Sequence, residues 1–129
     1  MKIDIKILKE QFDNIKTTYN LNWKNVSEYG GFLENNKIEI TIITERWEEG
    51  VTVAITNKEK NEFYYLDDLF AKKGFSNYTE YLTENEKNIE KELTENHAII
   101  FNFRVFLEKY CTDVLSGDFS KIGSGKSNF

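Results

Sequence analysis

The chain has 129 residues, 40% of them hydrophobic and 30% charged, with no proline, seven glycines, one cysteine and one histidine. That is enough for one domain with its own core, and it excludes a disordered chain, collagen-like repeats, a disulfide scaffold and a Cys/His zinc site. The formal charge of −5 is concentrated in residues 62–95, where nine acidic side chains face four basic ones; such a balance repels nucleic acid and anionic lipid and attracts a basic partner, although solubility accounts for it equally well.

In chain order, Ile5, Leu8, Phe12, Ile15 and Tyr19 recur at 3-4-3-4 spacing. This predicts an amphipathic helix, with Asp4 as its N-cap and its end at Asn20 or Asn22. Trp23, Val26 and Tyr29 then lead to Gly30-Gly31, which reads as a turn. From Phe32 to Leu66 the period shortens to two. Ile38, Ile40 and Ile42 alternate with Glu39, Thr41 and Ile43, and Val51, Val53 and Ile55 with Thr52, Ala54 and Thr56. Asn35-Asn36, Glu49-Gly50 and residues 58–61 separate the stretches as hairpin connections would. The pattern predicts an antiparallel meander of three strands, with a fourth at residues 32–34, whose Ile38/Ile40/Ile42/Val51/Val53/Ile55 face packs on helices.

Beyond the sheet, Asp67 is expected to cap a short helix through Leu69, Phe70 and Ala71, closed by Gly74, and residues 76–82 to add another turn. Thr83-Glu84-Asn85-Glu86 matches a capping box. The helix it opens would reach about Leu115, with a break expected near residues 94–96. Ile89, Leu93, Ile99, Ile100, Phe103, Phe106, Leu107, Tyr110, Cys111 and Val114 form one apolar arc on it. Gly117 then ends the helix with positive φ, Asp118 caps the next turn, and Phe119 and Ile122 pack back on the core. The expected fold is α+β: an N-terminal helix, a three- to four-stranded antiparallel meander and C-terminal helices packed on one sheet face. Residues 1–122 form a single domain and residues 123–129 a flexible tail.

The chemistry-bearing residues are few. Gly123-Ser124-Gly125-Lys126-Ser127 imitates the end of a phosphate-binding loop, but Ser120 stands where that pattern needs its first glycine, and only Asn128 and Phe129 follow. Asp67-Asp68 and Glu48-Glu49 are adjacent pairs, and neighbouring side chains point apart in helix or strand; a cap and a turn explain them better than acid/base catalysis does. His97 lies at the border of the apolar arc, near Arg104 and Glu108, and Cys111 within it as a small hydrophobe. No catalytic residues, cofactor or metal are expected, and the chain reads as a non-enzyme. No apolar run approaches the length of a membrane helix, and the N-terminus lacks a signal-peptide pattern, so a cytoplasmic protein with no membrane or nucleic-acid partner is expected.

Binding residues are a different matter. The second sheet face, read as Thr41, Ile43, Trp47, Thr52, Ala54, Thr56 and Tyr64 with a rim of Glu39, Glu45, Glu48 and Glu49, mixes aromatic and acidic groups as protein-recognition surfaces do, although an ordinary half-covered sheet would also fit. Phe101 and Val105 fall outside the main helical arc; they are either covered by the first helix or the 67–82 region, or they form an apolar partner patch. The candidate partner-binding set is therefore Glu45, Trp47, Glu48, Glu49, Thr52, Tyr64, Asp68, Phe101 and Val105. A hydrophobic ligand pocket between the sheet and the long helix is the alternative.

Leu107-Glu108-Lys109-Tyr110, the run Asp113-Val114-Leu115-Ser116-Gly117-Asp118-Phe119-Ser120, and the turn Tyr64-Tyr65-Leu66-Asp67-Asp68-Leu69 together resemble small uncharacterised bacterial α+β proteins. Some of these look like immunity proteins encoded beside secreted toxins. The resemblance covers about half the chain and brings no catalytic residues with it. It implies a bacterial toxin–antitoxin role: a cytoplasmic immunity protein neutralising a cognate basic toxin domain by occlusion. Oligomeric state is not legible.

Overall fold

A computed structural model describes residues 2–44, 50–76 and 95–127. The fold is α+β, and each element follows from local chemistry. Helix α1 (Ile5–Thr18) starts where expected: the Asp4 carboxylate accepts from the Lys6 and Ile7 backbone N–H groups, and Leu8, Phe12 and Ile15 are buried. It ends at Tyr19, and Asn20 takes a left-handed φ of 56°. The next segment, expected as a run-in to a turn, is strand β1 (Asn22–Ser27), paired with β2 (Gly30–Glu34). A register shift between Lys24 and Ser27, with Asn25 at a φ of 54°, breaks the two-residue period that would have marked β1 as a strand. The turn falls at residues 28–29, and Gly30-Gly31 opens β2. Gly30 must be glycine: its φ is 115°, and a Cβ there would lie 1.9 Å from the Ile42 carbonyl oxygen.

Strands β3 (Ile38–Thr44), β4 (Val51–Asn57) and β5 (Glu62–Tyr65) continue the meander. Asn35 fixes the β2–β3 connection by accepting from the Lys37 and Ile38 backbone N–H groups through its side-chain oxygen. Strand β6 (Lys126–Ser127) adds to β5, so the six strands of the described residues lie in chain order in one antiparallel sheet. The tail, expected to be free, is thus docked on the sheet edge as far as Ser127, because β5 would otherwise present an unpaired edge.

Helix α2 (Leu66–Lys72) begins earlier than predicted. Tyr65 is its N-cap, and Asp68 accepts from the Tyr65 backbone N–H, so Asp67 belongs to the first turn and is not the cap. Gly74 ends the segment with a φ of 94°. The described part of the long helix, α3 (Glu95–Tyr110), stops one residue before Cys111, and a short α4 (Thr112–Leu115) follows. The arc anticipated from Ile100 to Val114 is buried at Ile100, Phe103, Phe106, Leu107, Cys111 and Val114, while Ile99 and Tyr110 are half-buried. Of the turn predicted at 76–82 only Ser76 is described; the capping box at 83–86, Ile89, Leu93 and Thr94 lie outside the described residues, and Glu95 and Asn96, within the expected break, are helical. Gly117, Asp118, Phe119 and Ile122 behave as expected: a φ of 90°, hydrogen bonds from the Ser120 N–H and hydroxyl to Asp118, and burial of both apolar side chains.

The core lies between one sheet face and the helices. Leu33, Ile38, Ile40, Ile42, Val53, Ile55 and Tyr64 meet Leu8, Phe12, Ile15, Leu69, Phe70, Phe103 and Phe106. Edge-to-face ring contacts organise it, with Phe70 and Phe106 4.4 Å apart and Phe75 and Tyr110 5.3 Å apart between ring centroids. Helices α1 and α3 run parallel. Asp4 donates its backbone N–H to His97 Nε2, Arg104 donates to Gln11, and Asn14 donates to Glu108, so partners increase together along both helices. This polar seam covers the border of the core with satisfied groups.

Candidate functional site

Register decides which residues share a surface. Ile40 lies opposite Ile55 and Ile55 opposite Tyr64, so Tyr64 belongs to the covered face and is 2% exposed. Its ring stacks on Phe119 at 5.5 Å. Burial, and after it the charge of Glu62, pushes the Tyr64 phenol above its ordinary value, so it acts as a hydroxyl donor, to Gly123 O. The assignment of Tyr64 to the second face is therefore corrected: across the β4–β5 hairpin, even-numbered positions oppose odd-numbered ones, and Tyr64 follows Ile55 inward.

The opposite face carries two main rows. One runs Asn22, Glu34, Glu39, Thr56, Phe63 and Lys126; the other runs Lys24, Phe32, Thr41, Ala54 and Tyr65. Ile43 and Thr52 extend it at one end. Among the described residues, no helix packs there; Ala54 is buried, and most of the others are half-buried or exposed. Tyr65 is 42% exposed and meets Phe63 edge-on at 5.1 Å. The Lys126 ammonium sits 4.8 Å from the Tyr65 ring centroid.

Charge gathers at the Asn22 end. Lys58 donates to Glu34 at 2.7 Å, and Lys24 lies 3.8 Å and 3.9 Å from Glu34 and Glu39. The Lys58 hydrogen bond holds Glu34 below the usual carboxylate value, whereas burial and then the neighbouring Glu34 push Glu39 above it. One carboxylate of the pair is thus stabilised as an anion at the other's expense.

Of the candidate partner-binding residues, Thr52 is exposed on this open face, and Asp68 stands at its β5 edge, 3.7 Å from Lys126. Phe101 and Val105 are half-buried on α3, in the helical layer on the other side of the sheet. The Arg104 guanidinium covers Phe101, 4.9 Å from its ring centroid. The structure does not bring these two together with Thr52. Glu45, Trp47, Glu48 and Glu49 lie outside the described residues. Phe32, Phe63 and Tyr65 are the aromatic members of the open face that the sequence reading missed; extending the β3–β4 alternation through the hairpins on either side would have found them.

Two other features bear on chemistry. An apolar groove of about 480 Å³ opens where β4 runs past the end of β5, lined by Val51, Val53, Leu66 and Ile99 with Thr52, Tyr65 and Asp67. Cys111 is buried, which pushes its thiol up to about 12 and leaves it an inert hydrophobe. Among the described residues, no three His, Cys, Asp or Glu side chains cluster as a metal site, and no helix is long and apolar enough to cross a membrane. Comparison with protein-family models, curated proteins and solved structures finds no match to this chain.

Proposed function

We propose that this chain is a non-catalytic binding protein that docks a protein partner on the open face of its sheet, most concretely as a bacterial immunity protein that occludes a toxin. The observation that carries this reading is the aromatic pair Phe63 and Tyr65, held side by side on a face where no described helix packs. Aromatic side chains supply large contact area at low entropic cost. The net charge of −5 favours fast association with a basic partner. The resemblance of the C-terminal half to immunity-like proteins supports the toxin as that partner.

Affinity capture of the tagged chain from its native host, run beside Tyr65→Ala and Thr52→Lys variants, tests the proposal. A stoichiometric partner that the parent retains and both variants lose supports it, and an activity of that partner suppressed by this chain supports the immunity role. A partner retained equally by all three sinks docking on this face. The groove beside Ile99 favours a second reading, a small apolar ligand bound between sheet and long helix. Filling it with Ile99→Trp would abolish such binding and leave partner capture intact.

A further inference from the structure

The GSGKS run has a use in this fold that its likeness to a phosphate loop conceals. Residues 123–127 lie along the outer edge of β5, where Phe63 pairs with Lys126 and Glu62 with Ser127. The body of the domain contacts this segment at Gly123, Gly125 and Lys126. The Tyr64 hydroxyl donates to the Gly123 carbonyl, and Glu62 Oε2 accepts the Gly125 N–H at 2.6 Å. Lys126 reaches Asp68 Oδ2 at 3.7 Å and lies over the Tyr65 ring. A Cβ at Gly125 would fall 2.7 Å from both Phe63 O and Tyr64 Cζ, so no side chain fits there. In a phosphate loop, the backbone N–H groups and the lysine converge on an anion; here Glu62 and Asp68 take up both, and an added anion would meet two carboxylates.

The same contacts define a recognition code. It requires an extended backbone, a glycine at one position, and a cation at the next. The holding contacts are few: a two-residue ladder, the hydrogen bonds to Tyr64 and Glu62, and an ion pair whose side chains are 57% and 35% exposed. Exposed pairs of this kind contribute little, and cis occupancy owes its strength to a short tether that acts as a millimolar effective concentration. We propose that the β5 edge is a strand-addition site for an extended basic segment of a partner protein, in which a glycine–lysine step takes the place of Gly125 and Lys126 and the chain's own tail is the resident that must first leave. The tail then sets an affinity threshold, since only a segment that outcompetes the tethered copy gains the edge. This inference goes beyond docking on the open face and does not rest on it.

The test uses the full chain carrying Gly125→Val, which cannot seat its tail, and Lys126→Glu, which reverses the charge opposite Asp68 without a steric clash. The probe is a synthetic peptide of residues 122–127, titrated into isotope-labelled protein and followed by amide chemical shifts. In both variants, residues 124–127 should lose their protection against hydrogen exchange, and the peptide should shift the amides of Glu62 to Tyr65 with an affinity at least tenfold tighter than for the unaltered chain. Asp68→Asn in the Gly125→Val background should weaken the peptide about two- to threefold, the worth of one exposed ion pair, since the lysine keeps its contact with the Tyr65 ring. A peptide with valine in place of its second glycine should not bind. The proposal is overturned if the opened edge takes no peptide at millimolar concentration, if the unaltered chain binds it equally well, or if the tail of the Gly125→Val chain stays paired.

Discussion

The two faces of the sheet are built from the same strands, yet they differ in what their side chains are asked to do. On the covered face, Leu33, Ile40, Ile55 and Tyr64 form one row across four strands, and each is buried against the helices. One residue further along each strand, Phe32, Thr41, Ala54 and Tyr65 form the matching row of the open face. Both rows favour an extended backbone, since threonine is β-branched as isoleucine is. The difference is in apolar area. Among the described residues, no helix lies over the open face, and its aromatic weight is placed at the β5 edge.

Mutation pairs can break that comparison. The largest difference should come from Ile55→Ala against Thr41→Ala. The first empties a wholly buried site and should cost about 2–5 kcal/mol, while the second should stay within about 0.5 kcal/mol. Equal losses in denaturant titrations would mean that the open face carries a load of its own. Ion pairs sharpen the contrast at smaller scale. Lys73 bridges both Asp113 oxygens at 3.1 Å within the helical layer, where the two side chains are 16% and 14% exposed. Lys73→Met should cost about 2 kcal/mol because Asp113 stays partly buried, whereas Lys58→Met on the open face should cost less than about 1 kcal/mol and lose even that at high salt.

The smallest effect carries a pH signature. Glu39 has a folded value raised by burial and by Glu34, so ionising it costs stability above that value, and the cost disappears as the pH falls through it. Glu34 is depressed by Lys58, so its contribution is present above the ordinary 4.5 and is lost as the pH falls through its lowered value. Glu39→Gln should therefore stabilise the protein by about 0.5 kcal/mol at neutral pH, and the gain should vanish in mild acid, before the Glu34 contribution is lost. Thermal midpoints measured across the range from pH 7 to about pH 4 would show the two curves converging.

Much of this architecture is written in local patterns. Helix α1, its Asp4 cap, the central strands and the Gly117–Ile122 return are each set by spacing and by side-chain-to-backbone chemistry within a few residues. What escapes a sequence reading is non-local. Strand β1 hides because its shifted register erases the alternation, and its pairing partner supplies the order that its own residues lack. Tyr64 and Tyr65 are chemically alike and adjacent, so only the β4–β5 register says which is buried. The tail strand depends on Glu62, Tyr64 and Asp68, about sixty residues away. His97 read as a border residue, but it is buried; that its ring accepts the backbone N–H of Asp4 needed the parallel approach of two helices.

The alignment of α1 with α3 also has a consequence for how the chain is made. Residues joined along the seam are 93 or 94 positions apart. At a synthesis rate of about 5–20 residues per second, the first helix leaves the ribosome roughly 5–20 s before the surface that buries Leu8, Phe12 and Ile15 exists. Through that interval its apolar stripe must find a temporary cover, from the emerging meander or from a chaperone. Birth order therefore leaves one flank of the oldest helix open until α3 has been made.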